Sequence, residues 1–278
     1  MPEFILHAQV TTPYPSITEQ LTAWQVPKRY RFWLRQHQAV LVNGQYRYGN
    51  QPVGVGDQVT LHLKSADPTH YALATVPLAI VYEDAHVLVV NKPAGMKPHP
   101  NQPGENGTLM NAVAAYLAPS PAFITHRLDM ATSGLTLIAK DPLTQAIINQ
   151  QLATKTMARA YTALVTPGIA ASGTITTPIG RDPADKRKRL VRPDGDQAIT
   201  YFQRLHQGNV SDRVWLTLAT GRTHQLRVHL ASINQPIIGD PLYAPANPAP
   251  RLMLHATTLT WRQPLSEHTH TVTAPAPF

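Results

Sequence analysis

His126-Arg127-Leu128-Asp129-Met130-Ala131-Thr132-Ser133-Gly134-Leu135-Thr136-Leu137-Ile138-Ala139-Lys140 is the stretch whose reading decides the fold. A lone carboxylate, Asp129, stands between Arg127 and the small-polar turn Thr132-Ser133-Gly134, and the apolar run Leu135 to Ala139 follows at once. This is a loop feeding a strand, with one acid delivered at the loop. No second acid lies beside it, so it reads as a nucleophile or an ion-pair partner more than as half of a carboxylate pair. Standing alone, it would equally serve as a turn-capping acid beside Thr132-Ser133.

Outward from this stretch the pattern is many strands with few, scattered helices. Ala79 to Tyr82 and Val87 to Val90 read as strands split by Glu83-Asp84. Thr108 to Leu117 reads as a helix. Asp141-Pro142 is a strong helix start, with an Asp cap and Pro at the first helical position, and Leu143, Ala146, Ile147 and Leu152 supply its apolar stripe. Ala160 to Val165, Ala198 to Leu205 and Val214 to Leu218 read as strands, Arg222 to Ser232 as a helix, and Leu252 to His255, Thr258 to Trp261 and Thr269 to Thr273 as closing strands. The fold class expected is α+β with a mixed, mostly antiparallel sheet. Before residue 75 the character differs: a basic-aromatic helix at Lys28 to Arg35, short strands at Ala39 to Val42 and Gln58 to Leu63, and turns at Asn43-Gly44 and Val55-Gly56-Asp57. A small module over 1–75 and a large domain over 76–278 are expected, joined by a linker from Ser65 to Pro77.

The chain has 278 residues, enough for a sizeable core without staples. Cysteine is absent, which excludes disulfides and thiolate chemistry. The start has no basic region followed by a long apolar core, and no apolar run approaches the roughly 20 residues of a membrane span, so a cytoplasmic protein is expected. A net charge of +8 favours an anionic partner, nucleic acid above all. Thirteen histidines invite a metal hypothesis, but His224 and His229 lie five apart, about 500° of helical turn, and face different ways. There is no Gly-x-Ser-x-Gly elbow and no nucleotide-binding glycine loop.

The segment Gly221-Arg222-Thr223-His224-Gln225-Leu226-Arg227-Val228-His229-Leu230 crowds basic residues at a helix start. Leu226, Val228 and Leu230 require part of it to be buried. Arg222, at the first turn, wants a carboxylate there, and Asp129 is the candidate.

Taken together, His126-Arg127-Leu128-Asp129 with Thr132-Ser133-Gly134-Leu135, Ala160-Tyr161-Thr162-Ala163-Leu164-Val165 and Gly221 to Arg227 resemble the signature motifs of RluA-type RNA pseudouridine synthases. Asn91-Lys92-Pro93-Ala94-Gly95, Pro236-Ile237-Ile238-Gly239-Asp240 and Leu254-His255-Ala256 support this, in the family's order. The N-terminal module resembles, more loosely, the small RNA-binding domain shared with a small-subunit ribosomal protein. It lacks the usual Arg-Leu-Asp opening of the first helix and so either binds RNA or only packs against the larger domain.

The resemblance implies isomerisation of uridine in ribosomal or transfer RNA to pseudouridine, with no cofactor and no metal. Asp129 is then the catalytic carboxylate: it attacks the anomeric carbon or takes a proton from the neighbouring sugar carbon. Either role needs it ionised, and an ion pair with Arg222 would oppose the cost of burial. Tyr161 would stack on uracil and handle a proton, and Leu226 would floor the base. His126 and Arg127 fall among the substrate-binding residues, Arg127 filling the space that a flipped uridine leaves. Lys186-Arg187-Lys188-Arg189 would track the RNA backbone. A monomer is the default. The rival readings are a catalytically idle RNA-binding or ribosome-assembly factor, and a glycosidase with Asp240 or Glu105 as second acid.

Overall fold

The computed structural model describes residues 3–64, 69–247 and 249–278. The first six elements are β1 (Glu3–Gln9), α1 (Ile17–Ala23), α2 (Lys28–Gln36), β2 (Val40–Val42), β3 (Gln45–Tyr46) and β4 (Gln58–Lys64). They form an antiparallel sheet of order β1-β4-β2-β3. The strand β1 and the helix α1 go beyond the sequence reading. Strand β1 pairs with β4 across a long stretch of chain, from Gln9 opposite Gln58 to Glu3 opposite Lys64, and α1 is capped by Ser16, whose side chain accepts from Glu19 N–H. Of the expected linker, Ser65-Ala66-Asp67-Pro68 lies outside the described residues.

The remainder builds β5 (Ile80–Glu83), β6 (Val87–Lys92), α3 (Leu109–Leu117), β7 (Phe123–Ile124), β8 (Ser133–Ala139), α4 (Pro142–Thr154), β9 (Ala158–Val165), β10 (Ser172–Ile175), β11 (Ile179–Arg181), β12 (Arg189–Val191), β13 (Thr200–His206), β14 (Asp212–Leu218), α5 (Gln225–Ser232), β15 (Leu254–Arg262) and β16 (Thr269–Thr273). The large sheet runs β10-β13-β14-β9-β15-β8-β6-β5, with β16 on β15 and β7 on β8. The α+β class expected from the sequence is the one observed.

The pairings along this sheet are antiparallel except where β15 meets β8 in parallel, at His255 opposite Ser133 and Ala256 opposite Gly134. Gly134 has φ +118°, and a side chain there would run into the backbone of Ala256. Only glycine lets the two strands close at this point, directly after the loop that carries Asp129.

Helix α4 begins as its sequence dictates. Asp141 accepts from Thr144 N–H at 2.7 Å, Pro142 occupies the first turn, and Lys155 ends the helix in the left-handed conformation, φ +64°. Two expectations are corrected. The closing strands Leu252 to His255 and Thr258 to Trp261 are one strand, β15, broken in register between Ala256 and Thr258. The bulge resets the alternation of faces, so the sequence reads as two pieces. The helix expected from Arg222 starts only at Gln225, because His224 sits at φ +58° and no helix can pass through it.

The core of the N-terminal module continues into the large domain. Leu21, Trp24, Leu34 and Leu61 belong to the same buried cluster as Leu143 and Ile147 of α4 and Leu265. Tyr30 donates to the carbonyl of Pro142 at 3.2 Å, Thr12 donates to Glu267 at 2.7 Å, and Phe4 meets Phe123 edge to face at 5.8 Å.

Candidate active site

Asp129 lies in the loop between β7 and β8. Leu128, 4% exposed, anchors this loop in the core, and Thr132 N–H closes a turn on the carbonyl of Asp129 at 3.1 Å. A second clamp comes from below. The ammonium of Lys92, fully buried, donates to the carbonyls of Pro93 at 2.8 Å, Met96 at 2.9 Å and Met130 at 3.3 Å. Burial pulls this lysine down to about 8.

Asp129 opens into a cleft lined by Arg127, Arg159, Tyr161, Arg222, Leu226 and Arg227, among others. The expected pairing with Arg222 is not what forms. Arg222 turns outward to Asp196 at 3.5 Å and donates to the carbonyl of Gln197 at 3.1 Å. Its place beside Asp129 is taken by Arg227, at 3.4 Å. The cause is the late helix start: with Gln225 as the first helical residue, Arg227 projects inward and Arg222 is left on the preceding turn. Gln225 fixes that turn by accepting from Arg222 N–H at 3.0 Å and donating to the carbonyl of Ile199 at 2.9 Å.

Arg227 is 4% exposed and is held bidentately by Asp240, itself 1% exposed, at 2.7 and 2.8 Å. Asp240 also accepts from Leu242 N–H at 2.9 Å. These bonds and the guanidinium keep its carboxyl below the usual range despite burial, which works the other way. The glycosidase alternative loses its second acid here, because Asp240 is committed to Arg227. Glu105 is tied to Lys97 and to Asn101 N–H in another loop.

His224 brings Nε2 to 3.6 Å from Asp129. Its Nδ1 lies 2.9 Å from the hydroxyl of Tyr243, which accepts from Arg189 N–H at 2.9 Å. Burial lowers the pKa of His224, with Asp129 opposing. A continuous polar chain therefore runs from the basic hairpin through Tyr243 and His224 to Asp129.

Tyr161 and Leu226 stand on the cleft walls, 7% and 4% exposed. Tyr161 is central because β9 lies between β14 and β15, pairing it with Leu216 and Ala256. Burial pushes its phenol up, so it acts as a hydroxyl. Arg127 is exposed and approaches His99 Nε2 at 3.2 Å. His126, expected among the substrate contacts, serves the fold instead: its Nε2 accepts from Leu137 N–H of β8 at 3.0 Å. Burial, with the charge of Arg159, pushes that imidazole down to about 3.

The basic run caps the hairpin of β11 and β12. Asp185 draws in Arg187 at 2.7 Å, and Arg189 folds back on the carbonyl of Lys188 at 2.7 Å, whereas Lys186 is exposed. Among the described residues no cluster of histidines and carboxylates could hold a metal ion, and no helix is long and apolar enough to cross a membrane.

Behind the loop, Ser133 receives Arg251 and lies 2.7 Å from His255 Nδ1. His255 is 1% exposed. Burial and then Arg251 push it down to about 4. Above its ordinary value near 6.5 the imidazole is neutral folded or unfolded. As pH falls from 6.5 to 4, the unfolded chain takes up a proton that the fold refuses, and stability drops by about 1.4 kcal/mol per pH unit from this residue. Urea unfolding at pH 7 and pH 5 is expected to show the loss, with a shallower dependence in His255→Asn. An equal dependence in both proteins would contradict this.

Residues 86–232 match the RNA pseudouridylate synthase family, and residues 5–59 match the RluD ribosomal pseudouridine synthase N-terminal domain. The chain is 38% identical over 255 residues to Uncharacterized RNA pseudouridine synthase YhcT of Bacillus subtilis (strain 168), covering 88% of this chain and 83% of that protein. It is 34% identical over 259 residues to Ribosomal large subunit pseudouridine synthase D of Escherichia coli (strain K12), covering 86% and 79%. Among solved structures, Human RNA Pseudouridylate Synthase Domain Containing 1 superposes with a TM-score of 0.64 at 26% identity, covering 77% of this chain and 87% of that one.

Proposed function

The chain belongs to the RNA pseudouridylate synthase family and is an isomerase acting on RNA, and from this we propose that Asp129 is its catalytic carboxylate and ribosomal RNA its substrate. The observation that carries the site assignment is that Asp129, the one carboxylate among the described cleft residues, faces Arg227, with Tyr161 and Leu226 on the walls. The substrate class is supported by the relatives named as large-subunit ribosomal enzymes. A cytoplasmic location goes with that substrate.

In the reaction the bond from the sugar to uracil N1 breaks, the ring turns, and C5 bonds to the same sugar carbon. C5 loses a proton and N1 gains one, so atoms balance without a co-reactant. Asp129 serves as nucleophile at the anomeric carbon or as base at the adjacent carbon. Arg227 and His224 hold it facing the sugar. Tyr161 stacks on the free base with its hydroxyl as a hydrogen-bond donor, and Leu226 supplies the apolar floor. Extruding the uridine costs a few kcal/mol; Arg127, at the mouth, fills the space it leaves.

Two basic surfaces would bind the rest of the RNA. Beside the cleft, a groove is lined by Arg181, Arg189 and Arg222, below the Lys186 to Arg189 hairpin. On the N-terminal module, a second groove carries Lys28, Arg31, Arg35 and Arg47 with Phe32 and Tyr46, a pairing of cations and stacking faces suited to unpaired nucleotides. Replacing Lys186 and Lys188 by glutamine is expected to weaken RNA binding and flatten its salt dependence. Titrations at several salt concentrations would read this, and an unchanged slope would remove the hairpin from the interface. Mapping pseudouridines in cells with and without the protein tests the substrate. Sites lost from ribosomal RNA are expected, and a loss confined to transfer RNA would overturn that part of the reading.

A further inference from the structure

Arg159 is the cationic residue of the cleft that the folded chain leaves uncommitted. It stands on β9 two residues before Tyr161, so the period of a strand puts both side chains on one face, and both line the cleft. The other cleft arginines are engaged: Arg227 by Asp129 and Asp240, Arg222 by Asp196, Arg127 by His99. Among the described residues the Arg159 side chain has no hydrogen bond and no ion pair, although the residue is half-buried. Asp129 in the same cleft does not take it, so the guanidinium faces the open cleft with no partner from the protein.

The wall beside it is equally particular. Gly221 packs against the Arg159 guanidinium, and a Cβ there would lie 3.3 Å from one terminal nitrogen and 3.5 Å from the other. Gly221 and Arg222 also border the neighbouring groove of Arg181 and Arg189. The bare glycine thus leaves Arg159 at the junction between the cleft and a cationic track.

We propose that Arg159 is a substrate-binding residue that receives a phosphodiester flanking the flipped uridine, a role that rests on the pseudouridine synthase reading of this cleft. Uracil carries no charge at neutral pH, so the anion that a nucleotide brings into the cleft is its phosphate. The planar fork of arginine matches two phosphate oxygens. From there the backbone would continue over Gly221 into the groove of Arg181, Arg189 and Arg222.

The test is a chemical double-mutant cycle on a short RNA stem-loop containing the uridine that the cellular mapping identifies. The phosphate on its 5′ side, and separately that on its 3′ side, is replaced by a neutral methylphosphonate. Wild type is expected to lose about tenfold in affinity on one of the two substitutions, the scale of one charge-assisted contact. Arg159→Gln should lose the same on the native RNA, be indifferent to that neutral linkage, and show a salt slope smaller by about 0.7 to 0.9. Gly221→Ala, which keeps the arginine and crowds it, should weaken binding of the native RNA only, and it serves if Arg159→Gln does not fold. Losses that multiply at both positions, in whichever of the two variants folds, would overturn the assignment. Failure of wild type to form pseudouridine on the mapped RNA would instead sink the functional reading itself.

Discussion

Asp129→Asn is expected to bind RNA with near wild-type affinity and to form no measurable pseudouridine. The amide keeps the shape of the carboxylate and its seat in the turn closed by Thr132. It can neither attack the sugar nor take its proton. A base or nucleophile removed from a reacting centre costs on the order of 10²–10⁴ in rate, so single-turnover conversion of ribosomal RNA should fall by roughly 10³-fold or more. The fold should tolerate the change: Asp129 is 24% exposed, and Arg227 keeps both bonds to Asp240. A loss of about 1 kcal/mol or less is expected by urea unfolding. Wild-type-like conversion would refute the assignment, and loss of RNA binding in step with activity would move Asp129 from chemistry to architecture.

Arg227→Met is expected to damage both stability and activity, for separable reasons. It strips the counter-charge from Asp240, which is 1% exposed. Removing one partner of a buried pair costs about 3–5 kcal/mol because the other charge stays behind. Adding Asp240→Asn should recover much of that stability, since the neutral amide can still accept from Leu242 N–H and Tyr243 N–H. Activity should not return, because Asp129 still lacks the guanidinium 3.4 Å away. Denaturation midpoints and single-turnover rates of the three variants would read the two effects apart. Recovery of both in the double variant would mean that Arg227 acts only on the fold.

Arg222 and Arg227 mark the limit of what was legible in the sequence. The apolar residues around Arg227 said that an arginine in the segment was buried and needed an acid, and that inference holds. The sequence pattern points to Arg222 because a helix beginning there carries it on the first turn, and the positive φ of His224 is not written in local propensity. Asp240 was visible as a residue of the Pro236 to Asp240 motif, but its partner lies thirteen positions back and is reached through tertiary structure. By contrast, the cap at Asp141-Pro142 and the loop-then-strand reading around Asp129 depend on neighbours in sequence, and both are found as read. The tasks of Ser133 and His255 were hidden because they bond to each other across 122 residues, and that of His126 because its partner is a backbone N–H of the next strand. The same holds for Arg159: its isolation is a property of the assembled cleft, whereas in sequence it is one basic residue before a tyrosine.

The shared core of Leu21, Trp24 and Leu34 with Leu143, Ile147 and Leu265 bears on how such an enzyme can diversify. Helix α4 backs onto β8, the strand that begins where the Asp129 loop ends. The small module rests on the far side of that same helix. Removing it would uncover an apolar face and unsupport the scaffold behind the acid, so it is no detachable accessory. Changes confined to the charged residues of the module's groove, Lys28, Arg31, Arg35 and Arg47, would leave that core in place. Exchanging the whole module for a foreign one would require the new domain to reproduce the surface that α4 expects.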